Sequence, residues 1–217
     1  MSLNHSVVVV IDVGSPRLNR LGWSVYDCLN SISFTGADLD DLVVLIKDRF
    51  LSRAIFLGVE APLYFPLRKD ILLATKGRKG EGARPWSAGV GAQVLAINLP
   101  VMTYFFREIR AFIGDAQFHF DYANFNGQEN QWFVFEALVS GADKGDSHID
   151  DATIMVSYCV KYLVRNEFPP NILESEADTE FVNLAAMSLL RLGMLPVSQA
   201  MQALSQPCVI LKPSHTI

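Results

Sequence analysis

The chain of 217 residues is 50% hydrophobic and 19% charged, with a formal net charge of −5. This composition excludes a disordered chain and suffices for one large domain with a sizeable core. Because the net charge repels phosphate, a nucleic-acid partner needs a local basic patch. The three cysteines show no metal-like spacing, and neither a signal peptide nor an apolar run near the ~20 residues of a membrane span is evident. We therefore expect a cytoplasmic protein with no membrane partner.

The first predicted element is a buried central strand at residues 7–11, a continuous β-branched run that ends at Asp12. Since an unpaired buried charge is costly, Asp12 is expected to have a functional role. Short apolar segments at 21–26 and 31–35 follow after turns. They predict an antiparallel meander of three strands.

A helix with one apolar face is predicted next, with Asp38 as its N-cap. The strand at 54–59 follows this helix and ends, like the first strand, at an acid, Glu60. Two predicted strands therefore deliver a carboxylate at their last position.

Residues 61–91 are rich in proline, glycine and basic side chains, and they predict a long surface loop with at most a short helix at 69–75. Because this segment is positively charged in an acidic protein, we expect it to contact nucleic-acid phosphates, with Trp86 available for base stacking. A solvated surface loop is the alternative. The basic residues expected to bind phosphate are Arg68, Lys76, Arg78, Lys79 and Arg84.

The second half of the chain alternates helices and strands. A predicted helix over 93–112 contains Pro100, so we expect a kink or two helices. Strand-like segments at 116–122 and 131–136 flank a turn at 124–127. Further helices are predicted at 147–165, 181–192 and 197–204, and a last strand at 207–213.

Together these elements predict a single α/β domain over residues 1–217. Its core, about 7–165, is a mixed five-stranded sheet of three antiparallel strands followed by parallel strands, flanked by helices on both faces. Residues 61–91 are an insertion and 166–217 a C-terminal extension.

Acids stand at the ends of two strands (Asp12 and Glu60) and at the start of a core helix (Asp150 and Asp151). Such positions meet outside one edge of an α/β sheet. Several hard oxygen ligands suit Mg²⁺ or Mn²⁺, and two such ions can activate water and stabilise a leaving oxygen in phosphodiester cleavage. His148, three residues before Asp151, can transfer a proton or orient water.

Four short motifs carry a resemblance. They are Ile-Asp-Val-Gly-Ser at 11–15, Gly-Val-Glu-Ala-Pro at 58–62, Phe-Glu-Ala-Leu at 135–138 and His-Ile-Asp-Asp-Ala at 148–152. In this order they resemble an uncharacterised family of predicted nucleases with an RNase H-like fold. The first motif and the helix-borne acid are also similar to those of Holliday-junction resolvases of the RuvC type. The resemblance spans most of 7–165, and the 207–213 stretch also looks like that family's C-terminal end.

The resemblance implies that Asp12, Glu60 and Asp151 are metal ligands, with His148 beside them. The chain departs from the pattern at Glu60, where the related family often has aspartate, and in its two adjacent helix acids. These acids project about 100° apart on a helix. Asp151 is preferred because it precedes a small residue and pairs with His148, and Asp150 is the second choice.

Two other residues are candidates. Glu136, the third acid at the end of a strand, is either a metal ligand or the structural partner of a lysine such as Lys144. Lys144 is also a candidate for charge handling in catalysis. Each acid has a structural alternative as well, since turns and helix N-termini favour acids without any metal.

The leading hypothesis is a metal-dependent nuclease that acts on a nucleic acid of unknown type. The same architecture underlies sugar kinases and actin-like ATPases, so a single-lobe nucleotide-binding protein is the second hypothesis, although those proteins usually need two lobes. The third is a catalytically silent binding protein of the same fold. A homodimer stays open.

Overall fold

The structure is a computed structural model, which describes residues 3–81, 85–174 and 179–213. The strands are β1 (Val7–Asp12), β2 (Gly22–Asp27), β3 (Ile32–Gly36), β4 (Ile55–Glu60), β5 (Tyr64–Leu67), β6 (Gln117–His119), β7 (Gln131–Ala137), β8 (Glu180–Asn183) and β9 (Ile210–Leu211). The α-helices are α1 (Leu39–Arg49), α2 (Gly89–Arg110), α3 (His148–Leu163), α4 (Leu184–Arg191) and α5 (Ala200–Ser205).

A mixed seven-stranded sheet forms the centre of the fold, in the order β3-β2-β1-β4-β7-β6, with β9 also paired to β7. The first three strands are antiparallel, whereas β4 runs parallel to β1 and β7 parallel to β4. The predicted α/β class and mixed sheet are confirmed. The sheet is larger than the predicted five strands, because β6 and β9 add to it.

The turn at 124–127 predicts an antiparallel hairpin, but β6 and β7 do not pair in this way. The two strands are parallel, whereas a short turn joins antiparallel strands. Residues 120–130 instead cross over and bury Phe125 (1% exposed). Burial of a side chain of this size contributes about 1.5–3 kcal/mol, which favours the crossover.

Both faces of the sheet are covered. Alternate side chains of β1 point to opposite faces, so Val8 and Val10 pack in the cluster that contains α3, while Val7 and Val9 pack in the one that contains α1, α2 and α4. Every residue of β1 is buried, which explains its unbroken β-branched run.

The 61–91 segment is more ordered than the predicted loop. Its strand β5 pairs antiparallel with β8 in a separate two-stranded sheet, and a 3-10 turn, Ile71–Leu73, lies where a short helix was expected. The helix predicted at 181–192 is shorter in the structure, because residues 181–183 pair with β5 instead. Its first residues belong to β8, and the Asn183 side chain caps α4 by accepting a hydrogen bond from the backbone N–H of Ala186.

Helix α2 is one helix that contains Pro100, so the alternative of two helices is wrong. By length and composition α2 is the one helix of the described residues that could cross a membrane, with a mean hydropathy of 1.4. Core helices of soluble proteins also have this length and composition. Val101, Phe105 and Ile109 in its C-terminal half are buried in the core.

Candidate metal centre

The candidate centre is built on the carboxyl ends of two neighbouring strands. Asp12 ends β1 and Glu60 ends β4, and the two residues are direct partners in the parallel register. Partners in adjacent strands project to the same face. Both carboxylates therefore leave the sheet on the face covered by α3. Asp12 is 4% exposed, and the Glu60 side chain is 13% exposed.

The third acid, Asp151, comes from the first turn of α3. This turn lies directly on β2, since a Cβ on Gly22 would be 2.4 Å from the carbonyl carbon of His148 and from the backbone nitrogen of Ile149. Gly22 is also the register partner of Asp12. A glycine at this position thus allows the helix N-terminus to approach the end of β1.

The three acids converge. One carboxylate oxygen from each of Asp12, Glu60 and Asp151 lies within 4.8 Å of the other two. Oε2 of Glu60 is buried and has no hydrogen-bond partner among the described residues. A buried carboxylate oxygen without a partner is costly, so this atom has unused capacity for a ligand. An all-oxygen donor set suits a hard divalent cation.

Lys144 is the cation beside these carboxylates. Its Nζ lies 2.9 Å from Oδ2 of Asp151 and 3.6 Å from Oε1 of Glu60. The backbone N–H of Gly145 donates to Oδ1 of Asp151 at 2.6 Å. The loop before α3 therefore supplies both a charge and a backbone donor, which hold Asp151 in place.

His148 contacts the remaining acid. Its Nδ1 is 2.7 Å from Oδ2 of Asp12, and its side chain is 36% exposed while that of Asp12 is 5% exposed. The hydrogen bond holds the imidazole next to the acids, with its second nitrogen left for solvent or a ligand. The arrangement suits a group that orients water or carries a proton.

The electrostatics of the site favour a bound cation. Burial, followed by the charge of Asp12, raises the pKa of Glu60 from 4.5 to about 9. Burial also raises the pKa of Asp12, and His148 partly offsets this effect. Partial burial lowers the pKa of Lys144, but its hydrogen bond to Asp151 and the charge of Glu60 raise it on balance. The carboxylates thus repel one another, and one lysine does not neutralise them.

Asp150 is not part of the cluster. Its carboxylate is exposed and accepts a hydrogen bond from the Ser147 hydroxyl at 2.8 Å, while Ser147 in turn caps the helix. The preference for Asp151 over Asp150 agrees with this geometry. Asp150 acts at the helix N-terminus, which was its structural alternative.

The prediction that Glu136 is a metal ligand is wrong. Glu136 is the register partner of Val59, not of Glu60, so its side chain projects to the opposite face of the sheet. There it binds Arg78, with Nη1 2.7 Å from Oε2 and Nη2 2.6 Å from Oε1. The structural alternative is correct in kind, although the partner is Arg78 instead of Lys144.

The prediction that Arg78 contacts nucleic acid is wrong, because Arg78 is buried in this ion pair with Glu136. Arg78 is 4% exposed and its guanidinium also binds Glu81 at 2.7 Å and lies over the ring of Tyr64 at 4.5 Å. Glu81 is only three residues from Arg78, but Glu136 is 58 residues away, so the sequence does not show that these residues form a buried cluster.

Most other basic residues of the insertion are engaged as well. Arg68 donates to the backbone carbonyls of Leu73, Lys76 and Gly77, and Lys79 pairs with Glu174 at 3.0 Å. Lys76 is exposed. Arg84 lies outside the described residues. Trp86, expected to stack on bases, stacks on Phe65 with ring centroids 5.5 Å apart.

We found no family model, curated protein or solved structure that matches the chain.

Proposed function

We propose that the protein is a divalent-metal-dependent hydrolase of phosphodiester bonds, a nuclease, with Mg²⁺ or Mn²⁺ held by Asp12, Glu60 and Asp151. The observation that carries the proposal is the convergence of three carboxylate oxygens within 4.8 Å in a largely buried site. The buried oxygen of Glu60 that has no hydrogen-bond partner among the described residues is the second support, since such an atom is suited to bind a metal ion. A cation bound there would supply charge neutralisation and a more acidic water.

The chain's own residues have distinct roles in this proposal. Asp12, Glu60 and Asp151 bind the cation. His148, fixed by its contact with Asp12, orients the attacking water or accepts its proton. Lys144 balances negative charge beside Asp151 and Glu60, and its ammonium is suitable for stabilising charge that develops on a phosphate oxygen.

The fold supports an RNase H-like assignment as part of the same proposal. Three antiparallel strands are followed by the parallel strands β4 and β7. The acids stand at the ends of β1 and β4 and at the start of α3, which are the positions that the resemblance assigns to metal ligands.

The test is a calorimetric titration with Mn²⁺ followed by cleavage assays on labelled DNA and RNA. We expect saturable Mn²⁺ binding that Asp12→Asn and Glu60→Gln abolish, together with metal-dependent cleavage that both variants lose. Asp150→Asn is the matched control and should retain both. Absence of saturable binding to the wild type would instead favour a catalytically silent protein, and ATP binding without cleavage would favour the nucleotide-binding alternative.

A further inference from the structure

The loop between β1 and β2 (residues 13–21), which follows Asp12 directly, carries two arginines. It closes the hairpin whose last pair is Asp12 and Gly22, so it begins directly at the candidate metal centre. Arg17 and Arg20 in this loop are exposed. Among the residues that the structure describes, neither side chain forms an ion pair or a hydrogen bond. Unlike Arg68 and Arg78 of the insertion, these guanidinium groups are therefore available to a ligand.

Backbone hydrogen bonds and a tight turn define the conformation of this loop. The backbone N–H groups of Leu18 and Arg20 both donate to the carbonyl oxygen of Ser15 at 3.0 Å, and Asn19 adopts a left-handed conformation with φ of 53°. A Cβ on Gly14 would lie 1.8 Å from the carbonyl oxygen of Arg20. The backbone of Arg20 is thus packed against the chain two residues beyond Asp12. Such preorganisation lowers the entropic cost of binding a ligand.

A cavity of about 710 Å³ lies against the same loop. It is lined by Pro16, Asn19 and Leu21 of the loop and by Ala96 and Tyr104 of α2. It therefore lies on the face of the sheet covered by α1 and α2, and the loop separates it from the acids on the α3 face. The volume is within the range of ligand sites, ~300–1,000 Å³.

The chemistry of this cavity disfavours an anion and favours a flat, uncharged group. Its two acids are engaged locally, since Asp38 caps α1 and Asp40 accepts a hydrogen bond from the Tyr104 hydroxyl at 2.5 Å. The other lining side chains are mostly apolar. A nucleobase matches these properties. The Tyr104 ring is part of the lining and already carries the Arg107 guanidinium 5.0 Å from its centroid, so a base would stack on the other side of the ring.

We propose that Arg17 and Arg20 bind the phosphates of a single-stranded nucleic acid, and that the cavity beside them receives one unpaired base of the same strand. The inference rests on the proposed function for the reaction, but it names a substrate class and a binding surface that the acids do not define. It assigns phosphate binding to the β1–β2 loop instead of the basic 61–91 segment. A duplex keeps its bases stacked and paired, so it cannot fill the cavity without unstacking.

The test of the arginines is fluorescence anisotropy with labelled single-stranded DNA and RNA in EDTA, where cleavage does not interfere. Arg17→Gln with Arg20→Gln should weaken binding by about tenfold and reduce the log–log salt slope by about 1.4, since each phosphate contact on a single strand contributes about 0.7. Arg165→Gln is the matched control. Arg165 is exposed just beyond the C-terminal end of α3, away from the acids, and its loss should change neither quantity.

The test of the cavity is Ala96→Trp, which adds a ring to an exposed helical position that lines it. Gln93→Trp, on the same helix outside the lining, is the control. We expect Ala96→Trp to weaken binding of the single-stranded oligonucleotide about tenfold, to the level of an abasic oligonucleotide, while binding of the abasic oligonucleotide and of a duplex is unchanged. Circular dichroism establishes that each variant is folded.

Four results would overturn the inference: no binding of oligonucleotides by the wild type, an unchanged affinity in the double arginine variant, equal losses in the Arg165 control, or equal effects of Ala96→Trp on all ligands. These outcomes are separate from failure of the proposed function. Arginine-dependent binding without cleavage in any metal would remove the hydrolase alone. Cleavage with an unchanged KM in the double arginine variant would remove the binding surface alone.

Discussion

Asp12 and Glu60 are direct partners at the last position of the parallel β1–β4 pair. Two carboxylates on one face of adjacent strands repel each other, and burial increases the cost of their charges. Lys144 lies beside Glu60, and His148 forms a hydrogen bond with Asp12; both contacts reduce this repulsion. One oxygen of Glu60 has no hydrogen-bond partner among the described residues.

The first prediction concerns Glu60 and pH. Its pKa is raised from 4.5 to about 9 in the fold, so the folded state binds this proton more tightly than the unfolded state. The associated stability is fully present below pH 4.5 and is lost as the pH rises towards 9. Glu60→Gln cannot ionise and should therefore flatten this loss. Urea unfolding in EDTA between pH 4.5 and 9 measures how the free energy of unfolding depends on pH. Asp48→Asn, at an exposed position, is the control. Parallel pH profiles for Glu60→Gln and the wild type would contradict the prediction.

The second prediction concerns Lys144, whose ammonium lies 2.9 Å from Asp151 and 3.6 Å from Glu60. Lys144→Met should lower the stability of the metal-free protein and tighten Mn²⁺ binding about two- to fivefold, because a competing positive charge is removed. This magnitude follows from the ~0.2–1 kcal/mol of a partly exposed ion pair. Calorimetry measures the affinity, and Lys161→Met on the exposed surface of α3 serves as the comparison. Weaker Mn²⁺ binding in Lys144→Met would show that the lysine supports the ligands instead of competing for them.

The third prediction concerns Gly22, where a Cβ would meet the backbone of His148 and Ile149 at 2.4 Å. Backbone atoms cannot yield as a flexible side chain can. Gly22→Ala should therefore displace the start of α3, lower the free energy of unfolding by about 1–3 kcal/mol and weaken Mn²⁺ binding. Thermal unfolding with and without Mn²⁺ separates the two effects. An unchanged Mn²⁺-induced shift in Tm would mean that the approach of α3 to β2 does not position Asp151.

The fourth prediction concerns the buried ion pair between Arg78 and Glu136, at 2.6–2.7 Å. Arg78→Met leaves Glu136 and Glu81 buried without their cation, and it should cost about 3–5 kcal/mol of stability. Urea unfolding measures this loss. The neighbouring exposed Lys76→Met should leave stability unchanged. An unfolding curve of Arg78→Met that coincides with that of the wild type would contradict the prediction.

The sequence alone was sufficient for features that depend on local pattern. The buried β1 run, the meander, the capped helix α1 and the acids at the ends of β1 and β4 all follow from periodicity of 2 or 3.6 residues and from turn chemistry. The immediate neighbours of the two helix acids favour Asp151 over Asp150, and Asp151 is the one whose carboxylate lies with those of Asp12 and Glu60.

Which distant residues meet depends on how the strands and helices pack. Glu136 follows an apolar strand as Glu60 does, yet a register offset of one residue turns it to the opposite face, where Arg78 binds it. Since side chains alternate with a period of two, register determines whether an acid joins the site or leaves it. Register depends on strand pairing across the whole sheet, and no short stretch of sequence encodes it. The same limit applies to Arg78, whose charge predicted a surface role while its long-range partners placed it in the interior.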